Sequence, residues 1–329
     1  MGQKISARIL GTGSYTPPRI LTNADFEKLV DTSDEWIVTR TGIRERHIAD
    51  ESMCTSDMAV AASERAIEMA GCAREEIELV VNGTVTPDYR LPSNACVVQE
   101  KMGFVNAVGF DVAAACTGFI NGLSIAKAFI ENGTYRKVLV IGSEKLSAIT
   151  NYKDRTTCVL FGDAAGAVVV GASDNGSGIV STYMKSDGRL REWLWMKTGG
   201  IKHPYTQDFT YDGSDKVTMN GSEVFRVAVR EMEKACMKVI EAAGLAPDDV
   251  DLIIPHQANL RIIDALAKRL HAGPNKVYLN LERYGNTSAA SVPLALDEAN
   301  REGRIKAGDH VLMVAFGGGL IWGAALVKW

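Results

Sequence analysis

Apolar positions recur along this chain with two different spacings. Helical spacing marks 56–70, 93–102, 222–243, 259–270 and 287–301. Short apolar runs between them read as strands: KISARIL at the N-terminus, ELVVNGT (78–84), KVLVIGS (137–143), DLIIPHQ (251–257), KVYLN (276–280) and HVLMVAFGG (310–318). One stretch, FDVAAACTGFINGLSIAKAFI (110–130), begins as a strand. It continues as a small-residue helix with Phe119, Leu123, Ala126 and Ile130 at helical spacing. Strands alternating with helices predict an α/β protein with mainly parallel sheets.

The pattern also repeats. AIEMAGCAREEIELVV (66–81) aligns with VIEAAGLAPDDVDLII (239–254), and KVLVIG (137–142) with HVLMVA (310–315). The spacing is constant: Ala66 corresponds to Val239, Leu123 to Leu296, Ala126 to Ala299 and Lys137 to His310. Such a register predicts two homologous α/β halves, 1–175 and 176–329, joined through the turn-rich GASDNGSG (171–178) and packed as one body. In that register Cys116 corresponds to Ala289, His256 to Gly83 and Asn286 to Ala113. A twofold arrangement would bring one half's cysteine against the other's histidine and amide, in an inter-domain cleft.

Composition narrows the function classes. With 329 residues, 46% apolar, the chain can bury one large core or two fused ones. The formal charge of −4 argues against wholesale nucleic-acid binding. No run approaches the roughly 18–20 apolar residues of a membrane span. The N-terminus lacks the pattern of a signal peptide, and its loose match to a myristoylation site (Gly2, Ser6) is better read as the first strand. Six dispersed cysteines without C-x-x-C spacing point away from disulfide frameworks and zinc sites, and so to a reducing, cytoplasmic setting.

Cys116 sits at a strand-to-helix junction, where unpaired N–H groups and the helix dipole favour a thiolate. The plain alternative is a small buried cysteine filling a gap. His256 ends an apolar strand before a helix, and such residues commonly face a crevice. Asn286 precedes a small-residue helix and could be an ordinary cap. The run AFGGGLIWGA (315–324) has no following lysine, so it suits close backbone approach and N–H groups aimed at a substrate oxygen, not a phosphate loop.

Taken together, SDEWIVTRTGIRERHIA (33–49), AACTGF (114–119), DRTTCVLFGDAAGA (154–167), PHQANLRII (255–263), GNTSAAS (285–291) and FGGGLIWGAAL (316–326) resemble the β-ketoacyl-acyl-carrier-protein synthase III family of the thiolase superfamily. The resemblance spans essentially the whole chain. It implies a thiolase-like fold, a five-layered αβαβα body, and a Cys–His–Asn set of Cys116, His256 and Asn286. Elongating relatives carry Cys–His–His, and thiolases a second catalytic cysteine. The implied reaction is acylation of Cys116 by a short acyl-CoA, then decarboxylative condensation with malonyl-acyl carrier protein.

By the same resemblance, the N–H groups of Cys116 and Gly318 form the oxyanion site. Thr32, Trp36, Arg40, Arg155, Ala258 and Asn259 contact coenzyme A, with Trp36 and Arg155 sandwiching the adenine. Leu91, Leu160, Phe161 and Met219 border the acyl pocket. Arg226 and Arg261 dock the acidic carrier protein, although the row Arg226, Arg230, Lys234, Lys238 also reads as a solvated face paired with Glu223, Glu231 and Glu233. No metal or resident cofactor is implied, coenzyme A being part of a substrate, and the family resemblance implies a homodimer.

Two features depart from the family pattern. Leu91 in RLPSNAC (90–96) replaces a bulkier aromatic, which opens the primer to longer or branched acyl groups. The aromatic segment 189–218 either caps the pocket or is a surface excursion. Two other classes share the motifs: a condensing enzyme of secondary metabolism with another extender, and a non-catalytic acyl-binding paralogue.

Overall fold

The computed structural model describes residues 5–174 and 176–329; Gly2 of the lipidation pattern lies outside them, and Ser6 opens the first strand. One sheet contains β1 (Ser6–Tyr15), β2 (Leu79–Gly83), β3 (Val108–Val112), β4 (Lys137–Lys145) and β5 (Asp163–Ser173), in the spatial order β1-β5-β4-β2-β3. The other contains β6 (Gly178–Ser186), β7 (Leu252–Pro255), β8 (His310–Gly317) and β9 (Ile321–Lys328), in the order β7-β8-β9-β6. The main helices are α1 (Asp34–Thr41), α2 (Thr55–Ala70), α3 (Asn94–Met102), α4 (Gly118–Glu131), α5 (Gly221–Ala242), α6 (Leu260–Arg269) and α7 (Ser291–Arg301).

Side-chain alternation along the strands sorts these elements into five layers. Val80, Leu139 and Val169 turn outward onto α2 and α3. Their neighbours Val81, Val140 and Val168 turn inward, onto α4 and α7. Met313 and Ala315 meet the same two helices from the second sheet, while Leu312, Val314 and Phe316 face α5 and α6. The central helices are therefore covered on both sides, which explains why Phe119, Leu123 and Ala126 are fully buried. Each large apolar side chain buried this way contributes about 1.5–3 kcal/mol.

The second sheet, read β6-β9-β8-β7, repeats the first, read β1-β5-β4-β2. Helices α4 and α7 begin at Gly118 and Ser291, in the register of the sequence repeat, and the turns before them hold Ala115 at φ 45° and Ser288 at φ 49°. The expected strand 276–280 is reduced to one bridge, Val277 to Ile253, because a 3-10 turn (Pro274–Lys276) leads into it and the chain then departs.

The sheets are mixed, where mainly parallel ones were expected. Pairs β4–β2, β2–β3 and β7–β8 are parallel; β1–β5, β5–β4, β8–β9 and β9–β6 are antiparallel. The cause is local. Residues 318–320 are too few for a crossover, so β9 must return antiparallel beside β8. Among the described residues, no helix is long and apolar enough to cross a membrane.

Candidate active site

A cavity of about 560 Å³ opens at the strand ends where the two sheets' loops meet, and Cys116, His256 and Asn286 all line it. Cys116 lies in the 3-10 turn Ala115–Thr117 that carries the chain from β3 into α4. Gly317 backs directly onto it: a Cβ there would sit 2.7 Å from the Cys116 nitrogen and 3.0 Å from its Cβ. Among the described residues, neither the Cys116 nor the Gly318 N–H donates to a backbone carbonyl.

The electrostatics of Cys116 differ from the expectation drawn from its place at a helix start. The residue keeps some surface toward the cavity. Even so, burial first, and the nearby Glu144 carboxylate second, push the thiol up to about 12, against a hydrogen bond from Ser288. Desolvation is the largest of these effects and disfavours the thiolate, so the resting group is a thiol.

His256 leaves the end of β7 with its backbone N–H on Val314 O at 2.8 Å. Its ring is buried, which pushes it down to about 4 and keeps it neutral. Nδ1 contacts Ser291 Oγ at 2.9 Å. Asn286 is fixed through its backbone: its N–H donates to Leu160 O at 2.8 Å, and its carbonyl accepts from Gly162 N at 3.0 Å. Its side-chain carbonyl accepts the Ser288 N–H at 2.9 Å, leaving the NH2 group for the cavity.

The other expected residues divide. Trp36, Arg40, Leu160, Met219, Ala258, Asn259 and Arg261 line the cavity. Asn259 is also the α6 cap, accepting from Arg261 N at 2.9 Å while its amide donates to Arg40 O at 3.0 Å. The expected Trp36–Arg155 sandwich is closed: the guanidinium lies 5.4 Å from the ring centroid, anchored on Asp31 O at 2.7 Å. An intervening base needs about 7 Å, two contacts of about 3.5 Å, so Arg155 must swing aside to admit one.

Thr32, Phe161 and Leu91 are not among the cavity-lining residues. The Thr32 hydroxyl is buried without a partner, and Phe161 packs into the core. Leu91 is 87% exposed. Gly318 lies near Leu194 and Ala115 and is not among the cavity-lining residues.

Arg226 pairs with Glu223, Arg230 and Lys234 with Glu231, and Lys238 with Glu241. Arg261 has no carboxylate partner among the described residues and lies over the Phe225 ring at 5.9 Å. The basic row is thus largely a paired face, and Arg261 is the cation left over.

Sequence reasoning missed Leu194 and the helix α5 residues Phe225, Ala228 and Met232 in the cavity wall. Leu194–Trp195 pairs with Thr218–Met219, so the ends of segment 189–218 cover the cavity while Ile201 and Tyr211 stay exposed. Ser288, Ser291 and Glu144 were missed as well. The two serines stand in GNTSAAS, where their identity as the hydroxyls of a small-residue motif was the available signal. Among the described residues, no group of three or more His, Cys, Asp or Glu is arranged to hold a metal.

Residues 110–188 match the family model of 3-oxoacyl-[acyl-carrier-protein] synthase III, and residues 240–329 match the model of its C-terminal part. The β-ketoacyl-[acyl-carrier-protein] synthase III of Caldanaerobacter subterraneus subsp. tengcongensis is 54% identical over 329 residues, covering 100% of this chain and 99% of the relative. The crystal structure of the Aquifex aeolicus 3-oxoacyl-[acyl-carrier-protein] synthase III superposes with a TM-score of 0.91 at 50% identity, over 98% of this chain and 100% of that one. The Thermus thermophilus enzyme of the same name gives 0.92 at 47% identity, over 98% and 99%.

Proposed function

The chain belongs to the β-ketoacyl-[acyl-carrier-protein] synthase III family, and from that premise we propose that it starts fatty acid synthesis by joining a short acyl group to malonyl-acyl carrier protein. The observation that carries this reading is the meeting of Cys116, His256 and Asn286 on one cavity that can admit a thioester. The two halves, 1–175 and 176–329, each supply part of it.

In the proposed cycle, the Cys116 sulfur attacks the thioester carbon of an acyl-CoA, and coenzyme A departs as the acyl group stays on the enzyme. The N–H groups of Cys116 and Gly318 stabilise the oxyanion. Malonyl-acyl carrier protein then enters. The Asn286 NH2 and the neutral His256 ring hold its thioester carbonyl, so that the enolate formed as carbon dioxide leaves is stabilised by two hydrogen bonds. That carbanion attacks the acyl-cysteine and releases the β-ketoacyl product.

Arg40, Ala258 and Asn259 are assigned to coenzyme A, with Trp36 and a displaced Arg155 receiving the adenine and Thr32 behind them. Leu160, Met219 and Leu194 border the acyl chain. Leu91, exposed on its own chain, would serve the pocket of a second copy in a homodimer. Arg261 is the better-placed docking cation, with Arg226 secondary. A cytoplasmic setting fits these soluble substrates.

The deciding experiment is intact-mass analysis after mixing with acetyl-, branched and longer acyl-CoA. One acyl adduct is expected on the wild type and none on Cys116→Ala. No adduct from any of them would overturn the reading. An adduct without β-ketoacyl product from malonyl-acyl carrier protein would move the assignment to a condensing enzyme with another extender.

A further inference from the structure

We propose that Gln257 is a positioning residue for the condensation step: its buried amide ties the strand end that carries His256 to the segment that leads to Asn286, and so fixes the spacing of the two. The inference rests on the reading of that pair as the groups that hold the malonyl thioester carbonyl.

Gln257 follows His256 directly and is 1% exposed. Its amide donates to Pro255 O at 2.9 Å and to Tyr278 O at 3.1 Å. Its side-chain carbonyl accepts the N–H groups of Asn280 and Leu281, both at 3.2 Å. A glutamine amide has two N–H bonds to give and two lone pairs to receive with, so this one is fully used. All four partners are main-chain groups. Pro255 O belongs to the end of β7, and the other three belong to 278–281. The side chain is therefore a cross-link between two backbones, with no capacity left for a substrate.

The cross-link reaches both members of the pair. Leu281–Tyr284 is a single helical turn, whose first N–H groups have no partner within it. Gln257 supplies one to Leu281. The Leu281 carbonyl in turn accepts from Gly285 N at 2.9 Å, and Asn286 comes next. On the other side, the Gln257 N–H donates to Ser291 Oγ at 2.8 Å, and that hydroxyl contacts His256 Nδ1 at 2.9 Å.

The sequence repeat shows that the fold does not require this tie. In its register Gln257 corresponds to Thr84, Tyr278 to Val105 and Asn280 to Ala107. The Thr84 hydroxyl donates to Glu144 at 3.2 Å. Segment 104–107 hangs instead on α3, through Gln99 Nε2 to Phe104 O at 3.2 Å and Ala107 O at 2.7 Å. Only the half that carries both His256 and Asn286 ties the segment to the strand end. Two donors that share one carbonyl oxygen must both lie within hydrogen-bond reach of it, and a misplacement of about 1 Å can cost about 100-fold. Cys116 stands in the other half, so its acylation does not depend on this spacing.

Gln257→Glu tests the proposal. The replacement has the same length and can still accept from Asn280 and Leu281, but it cannot donate to both Pro255 O and Tyr278 O. Intact mass after mixing with acetyl-CoA reads acylation, and β-ketoacyl product from malonyl-acyl carrier protein reads condensation. Acylation within about twofold of wild type is expected, with condensation slowed about 100-fold. Gln257→Met, which removes every amide contact, should show the same split. In an Asn286→Ala background, Gln257→Glu should slow the residual condensation by less than about twofold, because the spacing it sets no longer matters.

Equal losses in both steps, or failure of both variants to fold, overturn the proposal, since Gln257 would then hold the body and not the pair. Normal condensation in both variants, or a full further loss in the Asn286→Ala background, overturns it as well. Each of these leaves the condensing-enzyme reading intact. A wild type that acylates with no acyl-CoA, or yields no β-ketoacyl product, overturns that reading, and the proposal with it.

Discussion

The Nδ1 of His256 lies 2.9 Å from Ser291 Oγ, and the same hydroxyl accepts the Gln257 N–H at 2.8 Å. A serine hydroxyl has one proton to give. With Gln257 on one of the oxygen's two lone pairs, that proton is free for Nδ1, and when it is given there the ring proton sits on Nε2. Ser291 belongs to the first turn of α7, so the partner of His256 Nδ1 is supplied by the helix that follows Asn286.

Ser291→Ala should therefore separate the two half-reactions. It removes the partner of Nδ1 and leaves the buried Gln257 N–H unpaired, costing about 1–3 kcal/mol of stability. Condensation should slow about 100-fold through loss of the donor tautomer, while acylation of Cys116 stays within about twofold. Intact mass for the first step and product release for the second provide the check. Equal losses in both steps would contradict the assignment.

Gly317→Ala should disable the nucleophile without touching substrate. The added Cβ would lie 2.7 Å from the Cys116 nitrogen, against backbone that cannot rotate away. Overpacking of this kind costs about 1–3 kcal/mol and should displace the turn Ala115–Thr117. The expected result is a folded protein with acylation slowed at least about tenfold, close to 1.4 kcal/mol in the barrier. Acylation at the normal rate would show that the turn can yield.

The layer-forming helices, and the places of Cys116 and His256 at strand-to-helix junctions, were legible because each depends on local pattern. Helical spacing at Phe119, Leu123 and Ala126 marks a buried helix whatever packs on it. The strand β5 was not resolved as an element, and β9 was absorbed into a glycine motif, because fully buried strands lack polar alternation. The thiol state of Cys116 was misjudged for a different reason. The sequence marks the helix start but not the burial of the sulfur, which arises only on folding, when the Glu144 carboxylate also becomes a neighbour. Leu194 was hidden similarly, since its contact with the cavity depends on pairing with Thr218–Met219.

Docking of the carrier protein should depend on Arg261 far more than on the row along α5. Arg230 and Lys238 already have carboxylate partners at 2.7 and 2.9 Å, and exposed pairs of this kind contribute little. Arg261 is uncommitted and borders the cavity mouth. Arg261→Glu should raise the KM for malonyl-acyl carrier protein about tenfold, close to 1.4 kcal/mol, with increased salt reducing the difference. Lys238→Glu should change it less than about twofold. Steady-state kinetics at two ionic strengths distinguish these outcomes from a general loss of folding.

The two buried titrating groups of the site should leave opposite marks on stability. His256 falls from its ordinary 6.5 to about 4 on folding, because burial disfavours its charged form. Between those values the unfolded chain binds more protons, so this contribution is present above pH 6.5 and is lost as pH falls through 4. Glu144 rises from 4.5 to about 7, again through burial. Between those values the folded chain binds more protons, so its contribution is present below pH 4.5 and is lost as pH rises through 7. Each shift amounts to about 3 kcal/mol at about 1.4 kcal/mol per unit. From pH 4.5 to 6.5 the two slopes oppose each other and nearly cancel in the wild type. Glu144→Gln removes one of them, so its stability relative to wild type should climb by up to about 3 kcal/mol between pH 4.5 and 7. Urea unfolding of both proteins across that range measures the difference. Parallel stability curves would show that Glu144 has the same proton affinity folded and unfolded, and that its burial is relieved by water or a partner in solution.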